Sequence, residues 1–210
     1  MKVLPKTTLL VAAITLLSPG VASAAQVDST DLSATLGGSW RSQGGFRSEL
    51  VKTHSLRPAT CSAGRFTKAK RGRTTSYSGS RVDGYMRWAN TDVLTYRTPR
   101  AARRGLGGLK RWVSRCPGPL LPSCVGCDAG SLYLSSIKNA RVGRVSTGWW
   151  SASPGGMEAV YTTSIAFVRG RKLGVASYRL YNTRDSSIDR SFVPSVQKTK
   201  AFAKRLQRRL

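Results

Sequence analysis

The sequence predicts an α+β domain: a single twisted antiparallel sheet packed with about three helices and stapled by disulfides. Three observations carry this. A helix with both ends marked runs from Thr98 to Cys116. A strand pair rich in β-branched and aromatic residues runs from Glu158 to Tyr181, turned by Arg169-Gly170-Arg171. The remaining strand-like segments are joined by short turns, which implies antiparallel pairing, with the helices gathered against one sheet.

The chain opens on an export leader. Lys2 and Lys6 form a positive region, Thr7 to Leu17 is apolar, and Ala22-Ser23-Ala24 is a small-residue cleavage site. Residues 1–24 are read as a cleaved secretory signal peptide. The apolar run is shorter than the ~20 residues a membrane span needs, so the product is expected to be secreted and soluble. Residues 25–210 then form one domain, enough chain for a real core.

Within it, Asp28 to Gly37 reads as a short helix capped by Ser29 or Thr30, with Leu32 and Leu36 on one face and Gly37-Gly38 as its stop. Trp40 is expected in the core or at a sheet edge. Phe46 to Leu56 has no clean period, and Arg57 to Cys61 is a loop. The basic stretch Arg65 to Arg73 is read as a solvated strand edge. Thr74 to Tyr77 and Val82 to Arg97 are strands, turned at Ser78-Gly79-Ser80 and Asp83-Gly84.

In the 98–116 helix, Thr98 is the N-cap and Pro99 suits the first helical position. Ala102, Leu106, Leu109, Val113 and Cys116 share one face. Gly105, Gly107 and Gly108 each cost about 1 kcal/mol relative to Ala, so this helix needs a sheet or a covalent staple to hold it. Pro117 to Gly130 is a loop, and Ser131 to Ser136 and Val142 to Ser151 are strands. After the 158–181 hairpin, a helix from about Phe192 to Leu210 carries Val196, Thr199, Ala203, Leu206 and Leu210 on one stripe, with basic residues crowding its C-terminus.

The four cysteines, Cys61, Cys116, Cys124 and Cys127, suit an oxidising compartment. Three connectivities are open, and the expected one is Cys61–Cys116 with Cys124–Cys127. A zinc site from Cys124-x-x-Cys127 with Cys116 and either His54 or Cys61 is the rival, and its second half lacks ligand spacing. No metal and no cofactor are expected.

Charge bounds the partners. The chain has 35 basic and 9 acidic residues. Without Lys2 and Lys6 there remain 33 basic against 9 acidic, a net +24. Attraction to polyanions follows at low salt, whether the charge reflects selection or genome composition.

Catalysis lacks its parts. His54 is the only histidine, with no acidic neighbour nearer than Glu49. The carboxylates are scattered, and no nucleophile motif or phosphate-binding glycine loop occurs. No enzyme is expected; a cell-wall hydrolase stands as the weakest alternative. A binding module fits better. Trp149 and Trp150 are adjacent on a strand and must point to opposite faces. One is core, and the other is covered by a helix or offered to a ligand, with Arg141 and Arg144 nearby. These four are the candidate ligand-binding residues, for an anionic envelope ligand with an apolar part. A non-specific polyanion or nucleic-acid binder is the alternative, and a monomer is expected.

Val93-Leu94-Thr95-Tyr96 leads into the helix ending Trp112-Val113-Ser114-Arg115-Cys116-Pro117. With the Val160–Tyr181 strand pair and the basic terminal helix, this order resembles the PknH-like extracellular sensor domains of mycobacterial kinases and their free-standing secreted relatives in actinobacteria. The resemblance covers roughly Leu32 to Leu210. It implies a twisted antiparallel sheet with helices around a cleft, two disulfides, ligand sensing at or outside the envelope, and no catalytic residues to carry over. The chain departs from the kinases in having no kinase domain or transmembrane segment.

Overall fold

A computed structural model of the chain describes residues 27–47, 69–115, 118–120, 132–154, 159–183 and 192–210. The order is α1 (Ser29–Leu36), β1 (Trp40–Arg47), β2 (Arg71–Val82), β3 (Tyr85–Thr95), α2 (Pro99–Arg115), β4 (Gly118–Leu120), β5 (Leu132–Ser136), β6 (Ser146–Pro154), β7 (Ala159–Arg169), β8 (Lys172–Asn182) and α3 (Val196–Arg209). All strands join one antiparallel sheet in the order β1-β2-β3-β8-β7-β6-β5-β4. The expected α+β class and the single antiparallel sheet with three helices are observed. The four cysteines, His54 and the leader lie outside the described residues.

Two strands stand where the sequence reads as irregular. β1 is a sheet edge, exposed from Arg41 to Arg47, so no core face imposes an alternating pattern on it. β4 is three residues inside what reads as a loop. The expected turn at Ser78-Gly79-Ser80 is replaced by continuous strand with a register shift between Gly79 and Val82. The hairpin turns at Asp83-Gly84, whose φ values of 50° and 85° suit a tight two-residue loop.

The helices divide between the two faces. α1 and α3 cover one, where Leu32, Leu36, Phe202, Ala203 and Leu206 meet Ile165, Phe167, Ala176 and Tyr178. α2 covers part of the other, where Ala102, Leu106 and Leu109 meet Ala166, Leu173 and Val175. The middle of β7 is therefore buried on both sides, from Thr163 to Phe167. Of the predicted α3 stripe, Thr199, Ala203 and Leu206 are buried, together with Phe202.

Caps follow the residues. Asp28 accepts from the Asp31 N–H at 2.7 Å, so the cap of α1 falls one residue before the expected serine. Thr98 Oγ1 accepts from the Ala101 N–H at 3.1 Å. Ser195 caps α3, which places Pro194 just before that helix instead of in its first turn. Gly105 has a packing reason: a Cβ there would stand 2.3 Å from the Tyr96 hydroxyl.

The first helix and the last turn of α3 are tied together. Asp31, buried under α3, accepts from Arg209 Nη2 at 2.8 Å and Nε at 3.2 Å. Arg209 also reaches Asp28 at 3.2 Å, and this carboxylate partnership raises its pKa.

Candidate functional site

Strand alternation sorts the tryptophan pair. Trp150 points to the α3 side, is 6% exposed, and packs with Ala152, Ala159 and Tyr161. Its indole N–H donates to the Phe192 carbonyl at 3.0 Å. A buried, satisfied indole of this kind holds the core together. Trp149 points to the opposite face, half-buried against the cluster under α2.

Arg141 and Arg144 are exposed in the β5–β6 connector. That connector sends Ala140 and Val142 into the core beneath α1 and α3, and brings Gly143 against Gln207 of α3. The two arginines stand exposed in this connector, and Val145, the neighbour of Arg144, packs with Trp149 against the cluster under α2.

The face that Trp149 shares is more informative. Where α2 ends its cover, the pairing register lays out two rows of side chains on this face. One row is Ser76, Asn90, Ser177, Ser164 and Trp149; the next is Ser78, Trp88, Arg179, Thr162 and Ser151. Ser164 and Ser177 hydrogen-bond each other at 2.8 Å. Tyr181 follows Arg179 on the same face, its ring 6.3 Å from that of Trp88 at 61°. Trp88, Arg179, Tyr181 and Thr162 are all half-buried. Arg179 Nε is buried with no hydrogen-bond partner.

This floor is unlike a packing surface. It combines aromatic rings, small hydroxyls and a guanidinium with an unmet donor, and a buried donor left unmet costs about 1–3 kcal/mol. An acceptor that reached Nε would recover that cost, and planar apolar groups could lie against Trp88 and Tyr181. Trp149 stands two strands from Arg179, about 10 Å away across the sheet. Arg179, Trp88 and Tyr181 do not stand out in the sequence reading. The signal was present: an arginine alternating with Ala176, Tyr178 and Leu180 in an otherwise core-like strand.

Among the described residues, no three His, Cys, Asp or Glu side chains gather where they could hold a metal ion. No helix among them is long and apolar enough to cross a membrane.

No protein-family model matches the chain, and no curated protein matches it. Solved structures do. The extracellular domain of PknH from Mycobacterium tuberculosis superposes with a TM-score of 0.56 at 12% identity, over 89% of this chain and 93% of that one. An uncharacterized protein of Mycobacterium smegmatis aligns over 85% of this chain and 97% of its own, at 10% identity and a TM-score of 0.38, too low to carry an argument. The chain has the fold of the PknH extracellular domain.

Proposed function

We propose that this chain is an exported, non-catalytic, sensor-like domain that binds an anionic ligand with an apolar part on the sheet face beside α2. The export leader read from residues 1–24 and the likeness in fold to an extracellular sensor domain support the class. The observation that carries the site is Arg179: its Nε is buried and unpartnered on the face that also bears Trp88 and Tyr181. Arg179 supplies the anion contact, Trp88 and Tyr181 the apolar wall, and Ser164, Ser177 and Thr162 a floor of hydroxyls. Trp149 borders the site where α2 meets the sheet.

Tryptophan fluorescence titration with dodecyl phosphate and with a wall muropeptide tests this at moderate salt. A saturable response that Arg179→Gln abolishes is expected from one of them. A response that disappears with salt and is indifferent to Arg179 would reduce the binding to bulk charge attraction.

A further inference from the structure

One end of the molecule collects basic residues from five segments distant in sequence. A single row of the sheet places Arg71 opposite Thr95, Thr95 opposite Lys172, and Lys172 opposite Arg169. The Lys70 N–H donates to the Thr95 carbonyl at 2.8 Å, and the Tyr96 N–H to the Arg171 carbonyl at 2.9 Å. The same end receives the start of α2, with Arg97 and Arg100. The β5–β6 connector brings Arg144, its neighbour Val145 accepting from the Val168 N–H at 3.1 Å. α3 ends there too.

Two of these cations are spent on structure. Arg169 donates to the Gln207 and Arg208 carbonyls, and Lys172 to the Leu210 carbonyl at 3.3 Å, covering the negative end of the α3 dipole. The positive end of α2 faces the same way. Arg71, Arg97, Arg100, Arg144 and Arg171 remain exposed, while the carboxylates that reach the end of α3, Asp28 and Asp31 of α1, are taken up by Arg209. Asp83, by contrast, sits at the opposite end of β3.

We propose that this basic end is a docking surface for an anionic lipid bilayer, distinct from the Arg179 face. Its shape selects a plane over a chain. The strand ends of β2, β3, β8 and β7 span about 14 Å, and α2 and α3 widen the end by about 10 Å on each side. The charges thus come from both sides of the sheet instead of following a groove. Its composition selects phosphate heads over bases. The aromatic residues within these segments, Tyr96 and Phe167, are buried, so among the described residues this end offers nucleotide bases no stacking platform. Each Lys or Arg near an anionic membrane strengthens partitioning about five-fold.

The test is sedimentation of the full chain with phosphatidylcholine vesicles containing about 30% phosphatidylglycerol, at about 0.1 M salt. The triple variant Arg71→Gln, Arg144→Gln, Arg171→Gln should bind on the order of 100-fold more weakly. The control Arg81→Gln, Arg111→Gln, Lys198→Gln removes the same charge from exposed sites elsewhere and should retain most of the binding. Equal losses in the two triples would overturn the proposal in favour of bulk charge. So would failure of the wild type to bind these vesicles, or stronger competition by duplex DNA than by vesicles at equal phosphate.

Discussion

The Arg87 guanidinium lies 5.0 Å from the centroid of the Trp40 ring, in the core where α1 runs into the sheet. Arg87 is 2% exposed. Its donors are met mainly by neutral acceptors: the Ser80 carbonyl at 2.5 Å, Ser80 Oγ at 2.7 Å, and the Gly37 and Leu36 carbonyls at 3.1 and 3.4 Å. The last two are carbonyls at the C-terminus of α1, the negative end of its dipole. Trp40 closes the arrangement by donating its own N–H to the Gly37 carbonyl at 2.9 Å. One buried cation thus fixes a short helix that could not hold itself.

Arg87→Met should therefore destabilise the domain by about 3 kcal/mol, since the Leu36, Gly37 and Ser80 acceptors around this buried side chain lose their donor at once. Arg87→Lys should recover little of this, because a point ammonium cannot fork among carbonyls on two elements. Urea unfolding of the three proteins decides it. A lysine variant as stable as wild type would show that charge alone is required there.

The glycines of α2 separate by environment. Gly107 faces open space apart from Arg111 Nη1, 3.7 Å from a built Cβ, so Gly107→Ala should stabilise by about 1 kcal/mol. Gly105→Ala should do the reverse, because its Cβ would meet the Tyr96 ring and hydroxyl. Tyr96→Phe, which removes a buried hydroxyl without a partner, should ease the second variant. Melting temperatures of the two single variants and the Gly105→Ala/Tyr96→Phe double variant check the order.

These contrasts show what was legible in the sequence. The apolar periodicity of α2, the 158–181 hairpin and the Asp83-Gly84 turn could be read because each follows from local pattern. β1 could not, because an exposed edge strand of the form Arg-Ser-Gln-Gly-Gly carries neither alternation nor β-branched residues. The opposite facing of Trp149 and Trp150 follows from adjacency alone. Which of them is core depended on Phe192, far along the chain, offering its carbonyl. Arg179 and Trp88 meet only through the β3–β8 register, a pairing of segments some 90 residues apart that no local signal announces.

Alkaline pH should expose the buried tyrosines. Burial raises the pKa of Tyr77, Tyr96 and Tyr178 above the ordinary 10.0, opposed at Tyr77 by hydrogen bonds and at Tyr178 by Arg87. Below pH 10 these phenols are protonated in both folded and unfolded chains, so their contribution is fully present. Above it the unfolded chain ionises first, and stability falls as pH climbs toward the folded values. Phenolate absorbance and circular dichroism followed together should show Tyr77, Tyr96 and Tyr178 ionising only as the fold is lost. Ionisation of Tyr77, Tyr96 and Tyr178 near pH 10 with the fold intact would contradict this burial.

The tryptophan pair gives the sharpest separation of stability from binding. Trp150→Phe leaves the Phe192 carbonyl without its indole donor and a gap beside Tyr161, so it should cost about 1–3 kcal/mol. The loss should reach further than one contact. Phe192 also stacks on Tyr85 at 5.1 Å and meets Tyr161 edge-on at 4.7 Å, and two residues later the Pro194 carbonyl accepts from Thr163 Oγ1 at 2.7 Å. Together these contacts fix how the chain enters α3. Trp149→Phe keeps an aromatic ring against the cluster under α2, so its stability should stay within about 1 kcal/mol of wild type. Its effect should instead appear as a smaller fluorescence change on titration with dodecyl phosphate, since Trp149 borders the Arg179 face. Urea unfolding and that titration, run on both variants, should therefore move in opposite directions. If Trp149→Phe unfolds the domain while Trp150→Phe only alters the titration, the two faces of the sheet have been assigned the wrong way round.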